Sequence, residues 1–405
     1  MKIQQVLRVD AQDSSRASLQ SNLRMVLLIL VVAAIFLSLA ATSMSAQSAA
    51  TTPALPKRLV ADYGYWSKYQ TPAYGAAQIP INMMTHILHA GINIDGSADG
   101  SIDVPDGFVE PLLISKAHNA GVKVFILLGG DAGAFSTIAA SDTLRVVLVE
   151  NLWNFAQQYG YDGVDIDWEY PGTADARGYY ELMSTLRTFF TSPTYQLSAD
   201  IAPWGGPGYN LKKVAGVLDF LNIMTYDCAG PWTDDGQLNS PIFWDPHDPE
   251  PYECQPGGSV QEAITAFLRF APAAKLNIGT PFYGYEYENV NALWGSCTHC
   301  DFSVLGENYG TFIKQRVNKG GWVRYYDSIA GVPYLLHTKT PGYITYDDPS
   351  STYLRVWYTD WERGLGGTFM WSLDADYDGT SQDLLNAMYN ATLNNPSGAT
   401  AEKGN

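Results

Sequence analysis

Basic residues are scarce in this chain. Only 16% of its 405 residues are charged, and 24 Lys and Arg face 41 Asp and Glu, for a formal net charge of −17. Nucleic acid and anionic membrane surfaces are held by basic patches, so both are excluded as expected partners, whereas a neutral polymer is indifferent to the charge. Cysteine is nearly absent, with four residues at 228, 254, 297 and 300. An even count in an exported chain points to two disulfides, and three pairings are open. Cys228–Cys254 with Cys297–Cys300 is favoured, because the first pair would staple an irregular, Pro/Gly/Trp-rich loop over 229–258 to the strand before it. Cys297-Thr298-His299-Cys300 also reads as half of a zinc site, but no second Cys or His pair follows at metal spacing and His337 stands alone. Neither a metal nor an organic cofactor is expected, and nothing implies a protein partner, so a monomer is expected.

Long hydrophobic runs are limited to Met25–Ala41. Lys2, Arg8, Arg16 and Arg24 precede it and Thr42–Ala46 are small residues, the pattern of a secretory signal over residues 1–46 cleaved between Ser45 and Ala50. Secretion, extracellular or periplasmic, follows. The run is long for a signal and slightly short for a membrane span, so an uncleaved anchor through 25–41 is the alternative.

Apolar residues make up 46%, with 11 Trp and 26 Tyr. That supports a large core, and aromatic faces also stack on the apolar faces of sugar rings. Eight short apolar runs end in Gly, Asp or Trp: Arg58–Tyr63, Thr85–Ile94, Val122–Gly130, Gly163–Glu169, Gln196–Pro203, Phe220–Asp227, Leu276–Gly284 and Gly366–Leu373. Helical periodicity separates them, clearest over Thr143–Tyr159 and Asp175–Phe190. Eight strand–helix units predict an α/β fold, a (β/α)8 TIM barrel over 56–392, with 393–405 as a flexible tail.

The fourth run carries the chemistry. In Val164-Asp165-Ile166-Asp167-Trp168-Glu169, apolar and acidic residues alternate with period two, so a strand places three carboxylates on one face within roughly 13 Å, at about 3.3 Å per residue. Like charges this close raise at least one pKa, which suits a general acid near neutral pH. A solvated strand face would not need only Asp and Glu, and a hard-metal site usually draws ligands from more than one segment.

The segment Asp162 to Glu169 resembles the D-G-x-D-x-D-x-E signature of family 18 glycoside hydrolases, the chitinases and their relatives. Phe220–Asp227 ends in M-x-Y-D, a second motif of that family, and Trp232 follows at the spacing seen in many chitinases. Leu276–Gly284 resembles its G-x-P-x-Y-G segment. About sixty residues then precede Tyr343. They are similar to the α+β insertion domain many chitinases carry between strand seven and helix seven, here 285–345.

The resemblance implies a retaining hydrolase of chitin or chitooligosaccharides, endo or exo, acting by substrate-assisted catalysis. Glu169 would be the acid, Asp167 would orient the substrate acetamido group, Asp165 would share a proton with Asp167, and Tyr226 would hold the acetamido oxygen. Trp371 would floor the cleavage subsite, with Trp232, Met224, Asp227, Tyr283 and Tyr63 as further substrate contacts. Gly129 and Gly130 are read either as backbone space at the barrel mouth or as a plain turn.

The chain departs from the family at Asp62, Leu127, Asp131 and Tyr285. Relatives often carry Tyr at the first of these and Ser at the second, both thought to hydrogen-bond the inner Asp, so Asp165 is expected to have fewer neutral partners. They often carry Trp and Arg at the other two. An endoglycosidase of N-glycan cores, a divergent hydrolase of another acetamido-sugar polymer such as peptidoglycan, and a chitin-binding lectin are the rival readings. The intact Glu169 counts against the lectin.

Overall fold

The computed structural model describes residues 55–248, 258–296 and 306–394. The expected signal over residues 1–46 lies outside the described residues, as do Cys254, Cys297 and Cys300 with the expected pairings. Among the described residues no single helix is long and apolar enough to cross a membrane.

Eight parallel strands close into a barrel: β1 (Arg58–Gly64), β2 (His86–Ile94), β3 (Lys123–Gly129), β4 (Gly163–Asp167), β5 (Gln196–Ile201), β6 (Leu221–Ile223), β7 (Leu276–Pro281) and β8 (Gly367–Trp371). Neighbours pair in chain order, and β1 pairs with both β2 and β8. Each of the eight apolar runs supplies one strand. The fold is a (β/α)8 barrel, with one economy: short 3₁₀ turns, not an α-helix, link β1 to β2.

The helices that back the active strand form for local reasons. Ser141 caps Asp142–Tyr159 by accepting the Leu144 N–H, and Gly160 ends it in the left-handed conformation at φ 81°. Helix Ala176–Phe189 buries Tyr179, Leu182, Met183 and Leu186, the i, i+3, i+4, i+7 stripe of a helix against a core. Trp168 is fully buried, stacked at 5.0 Å on Phe135 of helix Ala132–Ala140 and tilted at 5.7 Å against Tyr179 of Ala176–Phe189. The apolar side of the acidic strand is therefore clamped outward, which turns its carboxylates inward.

The barrel interior is layered. Val60, Leu88, Phe125, Phe220 and Phe369 form an apolar plug. Asp62, Asp165, Ser198, Asp200 and Asn222 are buried polar residues on the barrel strands, and Asp167 is paired with Asp200 in register across β4 and β5. Between β7 and β8 a five-stranded antiparallel sheet is built from Tyr283–Tyr287, Glu307–Asn308, Trp322–Asp327, Val332–His337 and Tyr343–Thr345, with a helical segment over Tyr309–Arg316. Tyr283 and Tyr285 lie on its first strand.

Candidate active site

A cavity of about 640 Å³ opens at the carboxyl ends of the strands, the face where barrels of this kind carry their chemistry. Its lining includes Asp167, Glu169, Met224, Tyr226, Asp227, Trp232, Tyr283 and Trp371. Eight residues expected from sequence therefore meet in one place, from strands four, six, seven and eight and the loops that follow them. Glu169 is exposed to solvent, while Tyr226 and Met224 are buried. The peptide bonds after Glu169 and Trp371 are cis.

Asp165 lies beneath the cavity, fully buried. The Ser198 hydroxyl and the Asn222 amide both donate to its Oδ1, the latter over 3.1 Å. Asn222 is itself held by the Asn277 amide at 2.9 Å, and Asn277 by Arg58 Nε at 2.9 Å. This relay crosses from β1 through β7 and β6 to β4. It corrects the expectation that losing the family's Tyr and Ser starves Asp165 of neutral partners: two other strands supply them. Burial pushes the Asp165 carboxyl up to about 7, with Ser198 and Asn222 opposing the rise. Burial and then the Glu169 charge hold Asp167 well above the ordinary carboxylate range.

Three expected contacts fall elsewhere. Tyr63 points out of the barrel, donates to Glu110 Oε1 at 2.9 Å and stacks on His89 at 5.3 Å. On β1 it is Val60 and Asp62 that face inward, and both faces of a barrel strand are buried, so residue type does not announce the parity. Gly129 and Gly130 do not line the cavity either. Gly130 has φ 130° and a Cβ there would sit 3.0 Å from the Ile94 nitrogen, so it serves a close crossing of chains after β3. Asp131, where relatives often carry Trp, caps helix Ala132–Ala140 by accepting the Ala134 N–H at 2.8 Å.

Sequence reasoning missed Asp200 and Tyr285. Asp200 lines the cavity from β5; a lone acid in an otherwise apolar run was its one signal. Tyr285 lines the cavity too and donates to Asp227 Oδ1, as Tyr283 does. Pro203 and Trp204 line it as well. Among the described residues no group of three or more His, Cys, Asp or Glu is arranged to hold a metal ion.

The match to glycosyl hydrolases family 18 runs over residues 58–376. The chain belongs to that family. It is 28% identical to chitinase A1 of Niallia circulans over 87% of its own length, and 25% identical to an endochitinase of Manduca sexta over 79%. It spans 61% and 64% of those two relatives. Its fold is similar to that of the Group IV chitinase of Ostrinia furnacalis, with TM-score 0.74, 24% identity and coverage of 83% of this chain and 99% of the other. A mutant of the second catalytic domain of the Ostrinia Group II chitinase, solved in complex with (NAG)5, matches with the same TM-score and identity, over 83% and 96%. Glu169 lines the cavity two residues past the end of β4.

Proposed function

We propose that the protein is a retaining chitinase that cleaves β-1,4-linked N-acetylglucosamine polymers with the substrate's own acetamido group as nucleophile. The observation that carries this reading is that Asp167 and Glu169 line one cavity together with Tyr226 and Trp371. A proton on Glu169 is what the leaving oxygen must receive. A neutral Asp167 can turn toward the acetamido N–H and accept it once its proton is shared with the carboxyl beneath.

The steps balance without a protein nucleophile. Glu169 gives its proton to the glycosidic oxygen as the C1–O bond breaks. The acetamido carbonyl oxygen attacks C1 from the opposite face and forms the oxazolinium ion, the substrate-assisted exception to the two-carboxylate scheme. Asp167 carries the negative charge that offsets it, and the Tyr226 hydroxyl donates to the carbonyl oxygen. Glu169 then takes a proton from water as that water opens the ring, so two displacements give retention. Trp371, half-buried and 6.4 Å from Trp66, offers an aromatic floor for the sugar face. The names of the matched relatives and the (NAG)5 complex support the same substrate class. Export after loss of residues 1–46 and a Cys228–Cys254 staple belong to this proposal, since chitin is an extracellular polymer.

Incubation of the purified protein with N-acetylglucosamine oligomers, followed by NMR of the nascent products, tests it. Initial β-anomer is expected, with Glu169→Gln at least about 10²-fold slower. Initial α-anomer, or cleavage that survives Glu169→Gln, overturns it.

A further inference from the structure

Four carboxyl groups, not two, occupy the barrel interior beneath the cavity. Asp62 from β1 and Asp165 from β4 are fully buried, Asp200 from β5 is 3% exposed, and Asp167 completes the set beside Asp200 in register. Among the described residues no Lys, Arg or His forms an ion pair with any of them. Both oxygens of Asp62, Asp165 Oδ2, Asp167 Oδ1 and Asp200 Oδ1 are sealed from solvent with no donor in reach. Such a group of like charges cannot all ionise without a cation: burial of each unpaired charge costs several kcal/mol, and the groups neutralise instead.

The hydrogen bonds say where a negative charge settles. Asp165 alone of the four receives two side-chain donors, from Ser198 and Asn222, the latter braced through Asn277 to Arg58. Its neighbours then meet that charge with undonated oxygens. An oxygen without a donor, facing a carboxylate, is a place for a proton. Burial first, and then the charges of Asp165 and Asp167, hold Asp62 well above the ordinary carboxylate range, and burial with Asp165 and Asp62 does the same for Asp200.

We propose that Asp62 and Asp200 are positioning residues that work as neutral carboxylic acids, each presenting an O–H toward the Asp165–Asp167 pair so that Asp165 carries the one negative charge and Asp167 keeps its proton until substrate arrives. In this chain two acids thus stand in for hydroxyls. This rests on the chitinase reading for its catalytic meaning, not for its chemistry. The titratable groups facing the set are Glu169 above β4, Tyr226 and Asp227 after β6, and Tyr179 and Tyr209 on the outer side. None of these supplies a cation.

Infrared spectra of the purified full chain, which need no substrate, read the protons directly. At pH 7 a carboxylic-acid carbonyl band above amide I, shifted by 13C-aspartate labelling, is expected, and Asp62→Asn and Asp200→Asn should each remove part of it. In kinetics, asparagine cannot ionise, so at alkaline pH it adds no charge to raise Asp167. The alkaline limb of kcat/KM should therefore move to lower pH by about half a unit or more in either variant. Asp62→Leu, which offers no donor, should lose more of kcat than Asp62→Asn. Loss of kcat with an unmoved limb, together with an unchanged infrared band, overturns the proposal and leaves a packing role. If one variant fails to fold, the loss of band in the other still decides. An enzyme inert on chitin that keeps the band and its loss in the variants refutes the chitinase reading and not the proton assignment.

Discussion

Tyr285 donates its phenolic hydrogen to Oδ1 of Asp227 over 2.7 Å. The Tyr283 hydroxyl donates to the same oxygen, so one carboxylate is clamped by two residues of a strand outside the barrel. Relatives often place an arginine where Tyr285 stands; here neutral hydroxyls take up the lone pairs. Burial pushes Asp227 up, and the two tyrosines pull against that rise.

Tyr285→Phe removes one of those restraints, so the Asp227 carboxyl should become harder to ionise and less well aimed at the cavity. A hydrogen bond to a charged group is worth about 1.5 kcal/mol, which predicts a loss of about tenfold in kcat/KM on oligomers. Steady-state kinetics check this, and an unchanged kcat/KM would show that Tyr283 suffices.

Trp232 is 49% exposed at the cavity rim and meets Tyr285 edge-on at 5.8 Å. An exposed aromatic there is free to stack on a sugar ring away from the cleaved bond. Trp232→Ala should raise KM for long oligomers about fivefold, the worth of one aromatic contact near 1 kcal/mol. Turnover of a short aryl glycoside that does not reach Trp232 should change less than that. Equal losses on both would place Trp232 at the reacting sugar.

Glu110 anchors the outer face of β1. Burial alone would raise its carboxyl, but His89, Lys68 and Tyr63 outweigh that and bring it down to about 2. A depressed carboxyl stabilises the fold above its unfolded pKa, and that stability is lost as pH falls through about 2. Glu110→Gln should cost about 2 kcal/mol near neutral pH, with the gap to wild type closing in acid. Urea midpoints at several pH values measure it; a gap that stays constant with pH would show that packing, not charge, was lost.

Asp376 behaves in the opposite sense. Burial raises it to about 7, against the Leu385 and Leu384 N–H groups that hydrogen-bond it. The folded state keeps this proton between pH 4 and 7 while the unfolded chain releases it, so Asp376 lowers stability as pH rises across that window. Asp376→Asn has no such titration. It should be destabilised at pH 5, with the difference from wild type shrinking by pH 8, as followed by thermal unfolding at fixed ionic strength.

Much of this was legible before any fold was known. The outward clamp of Trp168 and the inward turn of Asp165 and Asp167 follow from alternation in six consecutive residues, and Met224, Tyr226 and Asp227 from one strand end. Tyr63 was misplaced because Leu59, Ala61 and Tyr63 are no more apolar as a set than a barrel strand's inner face is expected to be. Asp131 gave no sign that it caps a helix until the three residues after it were seen to turn.

By itself the sequence determined the barrel and the strands that line the cavity, since each of these depends on periodicity within a few residues. Tertiary structure alone decided which side chains restrain Asp165 and Asp227. Ser198 and Asn222 reach Asp165 from 33 and 57 residues away, and Tyr285 reaches Asp227 from 58. Closure of the sheet sets those meetings, because a hydrogen bond depends on where two strands lie side by side and not on how far apart they stand in the chain.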